Sequence, residues 1–322
     1  MPITVQFATN RRLTGPGEAL SSYGNNVVTP SSPAEITYGT AFVDEVNLTA
    51  DTVGAITSIG SLRQGGFSDE AIGDLAGAGR NLLIFVHGFD NSFENAITRA
   101  AFNREWLAAS GLEEADTSVV AFSWPSAGRL LAFPLLWEPY KSDQVMAGQS
   151  GLHLMSFFAN LEPIVTAARA DGRRVFLLAH SMGNYVLQSA VENWFSHGNG
   201  DAALFDEAFL AAADEQYRSF DLPHMGRLSG LGRLAQRITI LFSEADNVLG
   251  VSAALNLVRR LGQEGPHARF DQARFPPARY SMVDCAAHRD FDFGFASSHQ
   301  YYRRSRAVRS IIASAMARPQ AI

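Results

Sequence analysis

Short runs of consecutive apolar residues alternate along this chain with longer stretches whose apolar positions recur every three to four residues. The short runs are ITVQFAT (3–9), ITYGTAFV (36–43), NLLIFVH (81–87), SVVAFSW (118–124), RVFLLAH (174–180), EAFLAAAD (207–214), ITILFSEAD (238–246) and YSMVDC (280–285). Runs that are apolar at nearly every position suit strands buried on both faces. Helical spacing over 93–109, 145–169 and 182–195 supplies crossovers between them, and the alternation predicts an α/β fold: a mostly parallel central sheet with helices on both faces. Two segments interrupt the rhythm: the Gly, Ser and Pro-rich stretch 13–35, expected as loop, and the apolar, aromatic PSAGRLLAFPLLWEPY at 125–140. No repeat, low-complexity tract or linker divides the chain, so residues 1–322 are expected to form one domain.

Composition narrows the chemistry. With 47% hydrophobic and 18% charged residues over 322 positions, the chain lies far from the low-hydrophobicity, high-charge signature of disorder. Its net charge of −6 argues against a nucleic-acid partner, which calls for a basic face. Lys141 is the sole lysine, which leaves little room for phosphate-loop or Schiff-base chemistry. Cys285 is the sole cysteine, so no intrachain disulfide is expected. The opening MPITVQFATNRRL resembles neither a signal peptide nor an anchor, and no apolar stretch is long enough to span a membrane; a cytoplasmic location is the expectation.

Within FLLAHSMGNYVLQSAV (176–191) the strand pattern gives way to the helix pattern at Ser181. A sharp strand-to-helix turn needs small residues two positions before and two after its centre, and Ala179 and Gly183 stand there. Such a turn exposes a serine hydroxyl and aims the Met182 N–H at a site where an oxyanion would form, reinforced by the positive end of the following helix. A helix-capping serine is the competing reading. Upstream, LLIFVHGFDNSF ends a strand at His87 and Gly88, and the Phe89 N–H is the candidate second oxyanion donor.

Through FVHGFDNSFENAI, FSWPS and LLAHSMGN the sequence resembles the α/β-hydrolase superfamily. With FATNR and YGTAFV it is similar to a bacterial branch of serine hydrolases of largely unassigned substrate, over residues 4–312. The resemblance implies an α/β-hydrolase fold, and because no large insertion separates the strand ending at Asp214 from the one beginning at Ile238, no large separate cap domain is expected. It also implies the order nucleophile, acid, histidine, with the acid after a late strand and the histidine in a loop near the C-terminus. Ser181 and His299 fit those positions, His288 being the competing histidine. Asp246 fits the acid; Asp214 is its alternative, and Glu244 stands two residues from Asp246.

These assignments lead to the expectation of a serine hydrolase that cleaves carboxylic esters of short to medium acyl chains and needs no cofactor or metal. Thioesterase, lactonase or lipase activity would use the same residues, and a non-catalytic binding protein on this fold is the reading from another class. Leu136, Trp137 and Tyr140, in the 125–140 insertion, are the candidate substrate contacts, in keeping with a small-molecule partner. The stretches GLGRLA (230–235) and LVRRL (257–261) read as a helix turn and as packing residues of a helix.

Overall fold

Apolar runs this continuous bury both faces of a strand only when they pair side by side beneath helices. In the computed structural model they do; it describes residues 2–318 apart from 47, 53, 78–80, 111–116, 127–136 and 222–226. The strands are β1 (Ile3–Thr9), β2 (Arg11–Leu13), β3 (Tyr23–Val27), β4 (Thr37–Val43), β5 (Ile56–Gln64), β6 (Asn81–Val86), β7 (Thr117–Ser123), β8 (Val175–His180), β9 (Phe205–Ala211), β10 (Ala235–Phe242) and β11 (Tyr280–Asp284). Nine of them form one sheet in the order β11-β10-β9-β8-β6-β7-β1-β4-β5, and β2 and β3 pair separately. From β11 to β1 every pairing is parallel, whereas β4 runs antiparallel to both neighbours.

The helices are α1 (Asp69–Gly77), α2 (Phe93–Ala108), α3 (Trp137–Gln149), α4 (Gly151–Ala170), α5 (Gly183–Ser196), α6 (Asn247–Asn256), α7 (Leu261–Glu264) and α8 (Arg306–Met316). Because side chains alternate along a strand, the central strands feed two cores. Leu82, Ile84 and Val86 of β6 and Leu177 and Ala179 of β8 face α4 and α5, meeting Phe157, Phe158, Val186 and Leu187. Leu83, Phe85, Phe176 and Leu178 face the other way, towards Ile97 of α2 and Val308 and Ile312 of α8.

The structure departs from the sequence pattern at several places. The helical stretch 145–169 is two helices that meet at Ser150, whose hydroxyl donates to the Met146 carbonyl at 2.7 Å and accepts from Asn10 Nδ2 at 2.9 Å. The expected loop 13–35 contains β3, whose Gly and Asn residues hide the strand period. An edge strand, β5, was hidden by its polar, largely exposed positions. LVRRL links two helices instead of lying on one: Leu257 ends α6 in the left-handed conformation and is 92% exposed, Arg260 is buried, and Leu261 opens α7. GLGRLA does fall largely on a short helical turn, Ser229–Arg233.

Phe157 sits at the centre of the first core, fully buried, with ring centroids of Phe122 at 5.5 Å and Phe158 at 6.1 Å. Phe157→Ala should therefore lower unfolding free energy by about 3–5 kcal/mol. A urea titration checks this, and a loss below about 1 kcal/mol would mean that the two layers are not packed as described.

Candidate active site

The turn after β8 brings the sequence-predicted groups to the carboxyl end of the sheet. Ser181 holds φ at 54°, in the left-handed region that non-glycine residues seldom occupy. Its N–H donates to the Ala211 carbonyl of β9 at 3.0 Å, and its own carbonyl accepts from the N–H groups of Asn184 (3.0 Å) and Asp214 (3.1 Å). The Asn184 side chain closes the turn from within, donating to the carbonyls of Ala179 and Ser181 at 3.0 and 3.2 Å.

Two glycines make this turn possible. A Cβ at Gly183 would lie 2.5 Å from the His87 carbonyl oxygen and 2.6 Å from that of Val86, both rigid strand backbone. A Cβ at Gly88 would lie 2.7 Å from Ser181 Cβ. The end of β6 therefore packs directly against the Ser181 turn.

Asp246 and His299 meet across 53 residues. His299 Nδ1 and Asp246 Oδ2 are 2.7 Å apart, and Asp246 Oδ1 accepts from the Leu249 N–H at 2.9 Å as it caps α6. A carboxylate can only accept, so His299 Nδ1 is the donor, and in the neutral imidazole Nε2 then keeps its lone pair. Asp246 has no solvent exposure, and His299 and Ser181 are 7% and 5% exposed. Ser181 and His299 line one cleft of about 430 Å³. Phe89, Tyr140, Val248 and Leu255 supply much of its apolar wall.

Asp214, the alternative acid, is committed elsewhere. It accepts from the hydroxyls of Tyr140, at 2.9 Å, and Ser252, and lies 3.4 Å from Arg260 Nε. Glu244 is 65% exposed and faces Arg269. His288 lies beyond β11, and nearby Asp290 accepts from the Ala307 N–H at 3.2 Å. Among the described residues nothing accepts from the N–H groups of Phe89 and Met182, the latter at the start of α5. Of the expected substrate contacts, Tyr140 lines the cleft with its hydroxyl turned to Asp214. Leu136 lies outside the described residues, as does the side chain of Trp137, which opens α3.

Residues 69–315 match the family of alpha/beta hydrolases of unknown function designated DUF900. The chain belongs to this family. No curated protein matches the sequence. Among solved structures, Aspergillus fumigatus lipase B is similar at 12% identity with a TM-score of 0.42, over 97% of this chain. The chain spans 65% of that protein's length. Among the described residues of the hydrolase, no helix is long and apolar enough to cross a membrane, and no group of three or more His, Cys, Asp or Glu side chains could hold a metal ion.

Supporting residues that sequence reasoning missed hold the loop after β6. Fully buried Arg11 donates from Nη2 to the Asn91 carbonyl at 2.7 Å and from Nε to Ser123 Oγ at 3.0 Å. Asn91 Nδ2 donates to the carbonyls of Gly88 and Phe89 at 3.0 and 2.8 Å, fixing the Gly88–Phe89 peptide. Arg11 stands inside the FATNR segment already singled out, but nothing local to that segment indicates Asn91 as its partner.

Charge around the site is governed by burial. Desolvation above all, and then Arg11, holds His87 down to about 3, so His87 stays neutral. Its Nδ1–H donates to the Gly88 carbonyl at 2.9 Å and its Nε2 accepts from the Trp124 N–H at 3.1 Å. His180 is also held well below its ordinary value, by burial first and then by His299 and Arg303.

Burial, and secondarily Asp143, pushes Asp90 up to about 6 from its ordinary 3.8. Ionisation of this half-buried carboxyl therefore opposes folding increasingly as pH rises through that interval, and the penalty is complete above it. Asn tolerates the left-handed backbone of Asp90, whose φ is 59°. Asp90→Asn should gain about 1–2 kcal/mol more stability at about pH 8 than at about pH 4, the figure being reduced for solvent screening. Urea titrations at the two pH values check this; identical shifts at both would rule the carboxyl out as the cause.

Proposed function

We propose that this hydrolase cleaves carboxylic esters through an acyl-Ser181 intermediate, with His299 as base and then acid and Asp246 as the residue that orients it. The observation that carries the reading is the convergence on one cleft of Ser181, at a left-handed turn, and His299, hydrogen-bonded at 2.7 Å to a fully buried Asp246. In this mechanism the Ser181 Oγ attacks the ester carbonyl carbon while its proton passes to His299 Nε2. Asp246 stabilises the imidazolium without itself taking the proton. The N–H groups of Phe89 and Met182 hold the oxyanion, and the N-terminus of α5 adds its dipole. The imidazolium returns the proton to the departing alcohol, and water, deprotonated by the same histidine, releases the acid. Thioesters and lactones are open to the same sequence of steps, while intact groups for each step favour an enzyme over a binding protein.

A fluorophosphonate probe tests the nucleophile: the wild type should label and Ser181→Ala should not, at comparable thermal stability. If the wild type stays unlabelled beside a serine hydrolase control, the reading fails. Asp246→Asn should lower kcat by about 10²–10⁴. Asp214→Asn, which loosens Tyr140 and Arg260, should act mainly on stability. The reverse ranking would transfer the orienting role to Asp214.

A cleft of about 430 Å³ supports short to medium acyl chains, as does the apolar 125–140 segment, whose residues 127–136 lie outside the described structure. With neutral p-nitrophenyl esters, kcat/KM should rise with acyl length, each methylene contributing about 0.8 kcal/mol, and should fall beyond about eight carbons. A maximum at sixteen carbons with interfacial activation would point to a lipase instead.

A further inference from the structure

The cleft has a cationic wall that ester cleavage alone does not explain. Arg99, from α2, and Arg303, four residues beyond His299, both line it and are only 9% and 7% exposed. Their neighbour Arg304 is neutralised by Asp51, with Nη1 3.1 Å from Oδ2, and donates from Nε to Gln300 Oε1 at 2.8 Å. Arg99 spends Nη1 on the carbonyls of Thr49 and Ala50, at 3.2 and 2.8 Å, and its Nε has no hydrogen-bond partner. The Nε of Arg303 is likewise buried and unpartnered. Among the described residues neither Arg99 nor Arg303 forms an ion pair with a carboxylate.

Two buried guanidiniums whose one opposite charge, the exposed Asp51, is bonded to Arg304 are unfavourable, because each has given up water without gaining an opposite charge in contact. Burial, and after it the Arg303 charge, holds Arg99 down to about 9. Of the carboxylates of the cleft, Asp51 acts on both arginines only from a distance and is bonded to Arg304, Asp214 is paired with Arg260, and Asp90 is raised by Asp143. The cationic wall adjoins the reacting groups, since both arginines act electrostatically on His180, whose ring lies 4.9 Å from that of His299 and 4.6 Å from that of Tyr302.

We propose that Arg99 and Arg303 form an anion subsite and that the natural ester carries a carboxylate or phosphate group that docks on them. The guanidinium fork is matched to the paired oxygens of either group. The substrate class rests on the esterase reading above, whereas the subsite itself does not, so binding and turnover are tested separately.

Binding is measured on Ser181→Ala by thermal shift at constant ionic strength, with glutarate, inorganic phosphate and the neutral glutaramide. Glutarate or phosphate should raise Tm saturably, glutaramide should not, and the shift should vanish in Ser181→Ala carrying Arg303→Gln or Arg99→Gln. Which of the two anions acts identifies the docking group. Turnover compares mono-p-nitrophenyl glutarate with p-nitrophenyl pentanoate, and the butyryl ester of glycerol 3-phosphate with glyceryl monobutyrate. In one pair the anionic ester should have the larger kcat/KM by about tenfold, and Arg303→Gln or Arg99→Gln should reduce that ratio by about tenfold. Should a variant fail to fold, competitive inhibition of the wild type by the same two anions decides the question. No thermal shift, together with equal kcat/KM in both pairs, overturns the subsite and leaves the esterase standing. A saturable shift in a protein that cleaves no ester retains the subsite and removes the esterase.

Discussion

The left-handed backbone of Ser181 is the constraint around which the rest of the site is arranged. A serine in this conformation is disfavoured by its own Cβ, and the surrounding structure compensates. Strand β9 accepts from its N–H, Asn184 and Asp214 donate to its carbonyl, and the carbonyls of Val86 and His87 press so close that position 183 admits no side chain. The hydroxyl is thereby presented at the end of the sheet, while the backbone that presents it is locked between β6 and β9.

That locking has an electrostatic counterpart. Polar groups of the site are buried with fixed partners: His87 is neutral between the Gly88 carbonyl and the Trp124 N–H, and Asp246 is held by the Leu249 N–H and His299. Arg11 ties the loop after β6 to the end of β7, so the loop that carries Phe89 is held by a residue of β2. Arg99 and Arg303 stand apart from this pattern. Their charges are buried without a carboxylate in contact, Asp51 being bonded to Arg304, an arrangement more readily explained by a ligand than by stability, since a buried ion pair contributes little and a buried single charge opposes folding.

Family membership and architecture agree with this picture without carrying it further. The family assignment establishes an α/β-hydrolase; bond type, acyl preference and the anion subsite are questions about particular side chains in one cleft, where function resides.

Local features of the sequence determined a good deal of this protein. Strands buried on both faces announce themselves as apolar runs, and the eight runs correspond to β1, β4 and β6 to β11. The strand, serine, glycine, helix succession at Ser181 is equally local, because the small residues a tight turn needs must lie within two positions of its centre. What the sequence could not decide depended on which distant groups meet. Asp214 and Asp246 both follow strands, and only the packed structure turns one to Arg260 and Tyr140 and the other to His299. The break at Ser150, the exposed left-handed Leu257, the edge strand β5 and the roles of Arg11, Asn91, Arg99 and Arg303 were illegible for the same reason. Each is set by neighbours from other elements, and periodicity along one chain carries no record of which elements the sheet order brings together.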